Sequence, residues 1–541
     1  MPHQKLNLPQ SWVLMIAFLT LLIPLLILEY PLLQYSKGIF IYPQDEAYIR
    51  MATAKGLAFH GVWGLSGQEF NSASSSILYP MILAVLYKLF GTHLLFPFLI
   101  NLLAAVVCIM VFKRWLLRQG LTPISQALTL AAIILLTPLH VLVAGGMEHM
   151  LQVLFTILFI IKFCEWLAAE GQQDHKRRTL PWNIYALGIL MTATRYEGLF
   201  VVLVTCMALL IKRKPLLCIT FGLVSALPVI FFGIYALHKN AYFLPNSLMM
   251  KAIPVPLDGD AVQRFFKDDL FIRLIYPYNT PGSIAATRLL IVLPLLYWLV
   301  FHHLCEQTLY RNMLLFSLAV TILHLAFVNV VLFFRYEAYL IACAAFITSI
   351  LIAQYKGARL PQRSGLARWM VVWTSVLLLY PFFSRSWTAH EEAFSACLNT
   401  YEQSFAAAGF VHQYYNEATV ITDDIGATSY LNEGKIMDLS SGIGYMEIAR
   451  SREGSYLRVE YADYLIKQER PLLAIINENK YGRGLLQHWV KIAEWYTNNK
   501  IVSRDTHLSI YSLDSLSSPV LKERLQAYEP SLPSAVKVVY P

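Results

Sequence analysis

The feature that most limits what this chain can fold into is a succession of long apolar runs separated by short basic clusters. A helix of about 20 apolar residues matches the hydrocarbon thickness of a bilayer, and lipid tolerates only backbone whose polar groups bond within the protein. Eleven runs read as spans: about 12–30, 93–112, 124–143, 149–166, 181–194, 197–211, 215–237, 289–304, 313–333, 337–354 and 369–384. Only 14% of residues are charged, against roughly 25% in a soluble domain. The expected fold is a polytopic α-helical membrane protein followed by a soluble domain. The run starting near Trp12 lacks a small-residue cleavage site, so it reads as a retained first span.

The net charge of +9 is no nucleic-acid signal. Most of it lies in clusters at 113–118, 176–178, 212–214 and 356–368, which anchor topology on the cytoplasmic side and favour anionic lipid head groups. An even number of spans separates each neighbouring pair, provided that 77–90 does not cross. That segment is short for a span and is expected to lie along the outer leaflet. Asp45, Glu46, Glu148, Arg195, Glu197, the loop 238–285, Arg335, Glu337 and everything after 385 then share the outer side. Ionisable residues at span ends mark function by default, and their convergence points to an outer-face site. The seven cysteines form no CxxC pair, which speaks against a disulfide framework or a zinc site.

The chain divides into 1–385, the membrane domain, and 386–541, a polar α/β domain. Short β-prone runs at 419–422, 435–439, 472–476 and 508–511 alternate with helical stretches at 456–468 and 484–497. That order suggests a parallel sheet.

Several short motifs carry the candidate chemistry. Asp45-Glu46 ends a hydrophobic segment. Either pair member can take a proton from an acceptor hydroxyl, or the pair marks a solvated loop end. Asp45 with a second carboxylate such as Glu148 would suit a divalent cation. Glu148 follows Gly145-Gly146-Met147 and reads either as a cap of the fourth span or as a second acid of the site. Arg195 in Thr194-Arg195-Tyr196-Glu197-Gly198 suits phosphate bidentately or pairs with Glu197. Lys251, after Leu244-Pro245-Asn246-Ser247, meets a lipid phosphate or only head groups. Arg335 in Arg335-Tyr336-Glu337 is a ligand or a snorkelling anchor. Asp423-Asp424-Ile425-Gly426 and Ser440-Ser441-Gly442-Ile443-Gly444 match no phosphate-loop fingerprint and read foremost as turns.

Taken in order, these motifs resemble the GT-C superfamily of polyprenyl-phosphate-sugar-dependent glycosyltransferases. The likeness covers 1–450. It is carried by Asp45-Glu46 with Ala47-Tyr48-Ile49-Arg50, Asn71 to Ser76, Gly146-Met147-Glu148, Arg195-Tyr196-Glu197-Gly198, Leu244-Pro245-Asn246-Ser247 with Lys251, and Arg335-Tyr336-Glu337. The chain is similar to bacterial arabinofuranosyltransferases, a branch that the soluble tail with Asp424-Ile425-Gly426-Ala427 and Asp438-Leu439 also fits, and more distantly to protein O-mannosyltransferases and lipid A aminoarabinose transferases. It departs from many relatives where Glu46 replaces a second Asp, Tyr196 a Pro and Ser247 a Thr.

The resemblance implies juxtamembrane helices in the first outer loop and a site on the outer face of the bacterial inner membrane. It also implies an inverting glycosyltransferase that moves a monosaccharide from a polyprenyl-phosphate donor to a glycan, lipid or protein acceptor. Asp45 and Glu46 would be catalytic, Arg195, Lys251 and Arg335 would hold the donor phosphate, and Glu148 and Glu197 would serve the acceptor. No cofactor is called for beyond an optional divalent cation, on Asp45 and Glu148. The competing class, a flippase of a lipid-linked sugar, would need charges along a path to both faces and paired repeats. Neither is visible in the sequence.

Overall fold

The computed structural model describes residues 9–170, 179–251, 295, 308–328, 333, 335–355, 365–440, 443, 452–453, 456–481, 483–498 and 506–541, with backbone alone for 250–251, 351–355, 365–378, 452–453 and 456–457. The expected span at 289–304 and most of the loop 238–285 lie outside the described residues.

The membrane part opens with α1 (Gln10–Tyr35), α2 (Asp45–His60), α3 (Leu78–Phe90), α4 (Phe96–Arg118), α5 (Pro123–Leu136) and α6 (Leu139–Ala144). It continues with α7 (His149–Glu170), α8 (Trp182–Thr194), α9 (Gly198–Ile211), α10 (Pro215–His238), α11 (Asn246–Lys251), α12 (Thr308–Phe327) and α13 (Ala338–Tyr355). Among the described residues α1, α4, α7, α10 and α12 are long and apolar enough to cross a bilayer, and α3, α5, α9 and the first part of α13 are shorter apolar helices. The run expected as one span over 124–143 is broken at Thr137-Pro138 into α5 and α6, since a proline ring denies the preceding turn its hydrogen bond.

Leu19, Ile23, Leu26 and Ile27 of α1 and Leu216, Ile219, Leu223 and Phe231 of α10 are exposed. Patches of this kind are far larger than a water-soluble chain leaves open and are the natural contact with lipid. α3, about 20 Å long by helical rise, is too short to span. It buries Tyr79, Leu83 and Tyr87 while Met81, Val85, Leu89 and Phe90 stay open.

α14 (Gly365–Asn399) is a single 35-residue helix, about 52 Å long. It outruns the bilayer, so the boundary drawn at 385/386 falls inside a helix. A π-helical turn, Thr400–Phe405, leads to α15 (Ala406–Tyr415).

The C-terminal part then runs β1 (Val420–Thr422), α16 (Ile425–Leu431), β2 (Ile436–Met437), β3 (Arg452–Glu453), β4 (Tyr456–Leu457), α17 (Val459–Glu469) and β5 (Leu473–Ile476). It ends with α18 (Arg483–Leu486), β6 (Val490–Tyr496), β7 (His507–Ser512), α19 (Ser518–Tyr528) and β8 (Lys537–Val539). The main sheet has the order β2-β1-β5-β7-β6-β8. β1 pairs in parallel with β2 and β5, while the other pairings are antiparallel. The sheet is mixed, not parallel as expected. The helix expected over 484–497 is also corrected. Only Arg483–Leu486 is helical, and Val490–Tyr496 forms β6, in keeping with the strand preference of Val, Ile, Trp and Tyr.

Candidate active site

Residues from five distant stretches meet around the start of α2. The Gly145-Gly146-Met147 turn is held by Asn101 of α4, whose Nδ2 donates to the carbonyls of Leu142 (3.3 Å) and Met147 (2.9 Å). Gly146 has φ +65, and a Cβ there would lie 2.3 Å from the Tyr42 ring. The turn therefore requires glycine, and it delivers Glu148 fully buried. The 71–77 stretch ties the remaining motifs together. Ile77 N–H donates to the Ala193 carbonyl at 3.0 Å, and Asn246 N–H to the Ser72 carbonyl at 3.0 Å.

Glu148 is clamped by two guanidinium groups. Arg50 donates Nε to Oε2 and Nη2 to Oε1 at 2.8 Å, and Arg195 donates Nη1 to Oε1 at 2.7 Å. Arg50 also reaches the Glu46 carbonyl at 2.7 Å and Ser75 Oγ at 3.1 Å. Arg195 grips Glu197 with Nε at 3.0 Å and Nη2 at 2.5 Å. Burial pushes the Glu148 carboxyl up, but Arg50 and Arg195 outweigh it and hold it below the usual range. Glu197 is likewise held low, by Arg195 against burial.

A second knot involves the 335–337 stretch. Arg335 Nη2 donates to Glu46 Oε1 at 3.2 Å, and Arg385 Nη2 of α14 to Glu337 Oε1 at 3.1 Å. The Tyr336 ring carries both cations, with Arg195 Cζ 4.5 Å and Arg335 Cζ 5.0 Å from its centroid. His149 stacks on the same ring at 5.5 Å.

Asp45 is held differently. Its Oδ2 accepts from Gly426 N–H at 2.9 Å and its Oδ1 from Ala427 N–H at 3.0 Å. Burial and the neighbouring Asp424 carboxylate push Asp45 well above the usual carboxylate range, against the pull of the two N–H groups. Asp424, bonded by Ser404 of the π-helical turn, is raised as well, foremost by burial.

The geometry thus brings together Asp45, Glu46, Glu148, Arg195, Glu197 and Arg335. It also makes the Arg195–Glu197 pair that was the alternative to a phosphate clamp. The Lys251 side chain lies outside the described residues, and its backbone ends α11. Both Glu148 oxygens are engaged by arginine, and among the described residues no three His, Cys, Asp or Glu side chains converge on a metal position. Two residues were not singled out from sequence. In the sequence Arg50 is one member of a motif, and Gly426 belongs to a turn and to the resemblance of the soluble tail, with no role marked for either. The partner of each lies 98 and 381 residues away in the chain.

A cavity of about 20 Å³, room for about one water, lies between Gln44, His149, Phe333 and Arg335. A larger one of about 440 Å³ lies between Lys55, Thr92, His93, Tyr430 and Glu433. Lys55 is ten residues along α2 from Asp45, about 15 Å by helical rise, so this cavity does not adjoin the candidate base.

The fold can be set beside known proteins. Over 94% of its length the chain superposes on ArnT from Cupriavidus metallidurans. For the crystal structure bound to undecaprenyl phosphate the TM-score is 0.52, with 13% identity and 99% of that chain covered. For the apo structure the TM-score is 0.50, with 14% identity and 98% covered. The chain therefore shares the overall fold of that protein. Residues 394–511 match the family model "Domain of unknown function (DUF8728)". No curated protein sequence matches the chain.

Proposed function

We propose that this protein is an inverting glycosyltransferase that uses a polyprenyl-phosphate monosaccharide as donor on the outer face of a bacterial inner membrane. The observation that carries the reading is the half-buried contact joining the Asp45-Glu46 start of α2 to Arg335, within a fold that superposes over 94% of its length on a chain crystallised with undecaprenyl phosphate. A flippase reading gains nothing from this one-sided cluster.

In this reading Asp45 accepts the proton of an acceptor hydroxyl. The hydroxyl oxygen attacks the anomeric carbon opposite the lipid phosphate, the glycosidic C–O bond breaks, and configuration inverts. Charge grows on the departing phosphate, so cations fixed nearby favour the transition state. Arg335 is the described cation best placed for this. Arg195 serves chiefly as the keystone between Glu148 and Glu197, and Lys251 is a further candidate. The C-terminal domain covers the site and helps select the acceptor, which is a glycan, a lipid or a protein.

The test begins with mass spectrometry of envelope glycans from a deletion strain, to find the missing sugar. Complementation with Asp45→Asn then keeps the shape and removes the base. Transfer should fall by about 10²–10⁴-fold; wild-type glycans in that strain would reject the mechanism.

A further inference from the structure

The two donors to Asp45 belong to the C-terminal domain, and the contact is built to be permanent. A Cβ on Gly426 would lie 2.3 Å from the Asp45 carbonyl oxygen, 2.6 Å from Oδ1 and 2.8 Å from Ile49 N. Only glycine lets α16 come this close to α2. Further along the same interface Lys55 Nζ donates to the carbonyls of Tyr430 (3.1 Å) and Asn432 (3.0 Å) and pairs with Glu433 at 2.8 Å. The rings of Tyr48 and Tyr430 lie 6.4 Å apart, and Ala427 is fully buried. So many anchored points, spread over ten residues of α2, do not describe a lid that lifts at each turnover. A carboxylate has about four lone-pair sites, and Asp45 spends two on these N–H groups, which leaves acceptor capacity for a substrate hydroxyl.

We propose that Gly426 and Ala427 are positioning residues of the active site, their backbone N–H groups fixing the plane of the Asp45 carboxylate, so that the C-terminal domain completes the catalytic centre rather than merely covering it. This rests on Asp45 being the base. The charged groups facing Asp45 are Asp424 across the interface, with Lys480 beyond it, and Glu46 on its own helix, itself bound to Arg335. Withdrawing the two N–H groups leaves burial and two like charges unopposed, and the carboxyl then holds its proton to a higher pH.

The test uses the full-length protein in detergent and a probe that needs no substrate: a water-soluble carbodiimide with a small amine, which labels protonated carboxyls. Labelling of the Asp45 peptide is followed by mass spectrometry against pH. Gly426→Ala should move its midpoint upward by about one pH unit and lower transfer in complemented cells by about ten- to a hundredfold. An unmoved midpoint overturns the proposal, and so does increased transfer, which would make the contact a brake. Gly426→Ala risks misfolding, so amide exchange supplies a second measurement. In Asp45→Ala the amides of Gly426 and Ala427 should exchange faster than in the wild type, and unchanged exchange overturns the proposal. If Asp45→Asn leaves transfer intact, the base reading fails by itself, and the midpoint and exchange results still report on the contact.

Discussion

Arg50→Ala removes the residue that ties the start of α2 to the rest of the site. The Arg50 side chain is 3% exposed and Glu148 is fully buried. The substitution deletes both guanidinium bonds to Glu148 and the bonds to the Glu46 carbonyl and Ser75. Breaking a buried ion pair by removing one partner costs about 3–5 kcal/mol, because a desolvated charge is left behind. Glu148 keeps Arg195 at 2.7 Å, so the cost should sit near the low end, about 3 kcal/mol. Arg50→Lys keeps the charge but not the planar fork, and should cost about 1–2 kcal/mol. Cys108, Cys164, Cys343 and Cys397 are free and buried, so a thiol-reactive fluorophore reports thermal unfolding in detergent. The midpoints should fall in the order wild type, Arg50→Lys, Arg50→Ala. Arg50→Met with Glu148→Met should be more stable than Arg50→Ala, because Arg195 retains Glu197 and no anion is stranded. An Arg50→Ala midpoint equal to wild type, or a double variant less stable than either single one, would refute the reasoning.

Glu46→Gln should tighten binding of undecaprenyl phosphate and Arg335→Gln should weaken it, each by about tenfold; titration of intrinsic tryptophan fluorescence checks both, and opposite signs would remove Arg335 from the donor site. Asp424 and Asp45 both titrate above the usual carboxylate range, so their interface is most stable at acid pH and loses stability as pH rises through the raised values. Asp424→Asn should therefore raise the unfolding midpoint at pH 8 and not at pH 4, and a gain independent of pH would contradict this sign. Trp495 is 1% exposed and stacks on Tyr528 at 6.3 Å; Trp495→Ala should cost about 3–5 kcal/mol, seen as rapid proteolysis of the C-terminal domain while the membrane helices survive.

The five long apolar helices among the described residues and the charged motifs were legible because each announces itself locally. An arginine or a glutamate beside an apolar run is a chemical anomaly wherever its partner lies, so Asp45, Glu148, Arg195 and Arg335 stood out singly. What stayed hidden was pairing. Arg50 sits in a mildly amphipathic helix where one arginine is ordinary, and only the fold supplies Glu148. The steric need for Gly426 stayed hidden even within its motif, because the atom that forbids a side chain is the Asp45 carbonyl oxygen. Strand direction in the C-terminal sheet depends on which strands become neighbours, and no single strand encodes that. The break at Pro138 was written in the sequence, since proline stops a helix by local sterics. The end of α14 was missed for the opposite reason: Arg385 and the polar residues after it end the apolar stretch but not the helix.

The charge inventory separates the two acids at the start of α2. Arg50, Arg195, Arg335 and Arg385 face Glu46, Glu148, Glu197 and Glu337, four cations against four anions. Such balance is what burial requires, since an unpaired charge in this environment costs several kcal/mol. Asp45 takes no part in this pairing. Among the described residues no cation lies within ion-pair distance of it, and its company is two backbone N–H groups and Asp424. A carboxylate paired to arginine is a weak base, because the ion pair holds it deprotonated far below neutrality. One raised toward the working pH takes a proton in the transition state far more effectively. On this ground we propose Asp45 as the base, with Glu46 holding Arg335 in place. If Glu46→Gln costs as much transfer as Asp45→Asn, with donor binding unchanged in both, that division of labour is wrong.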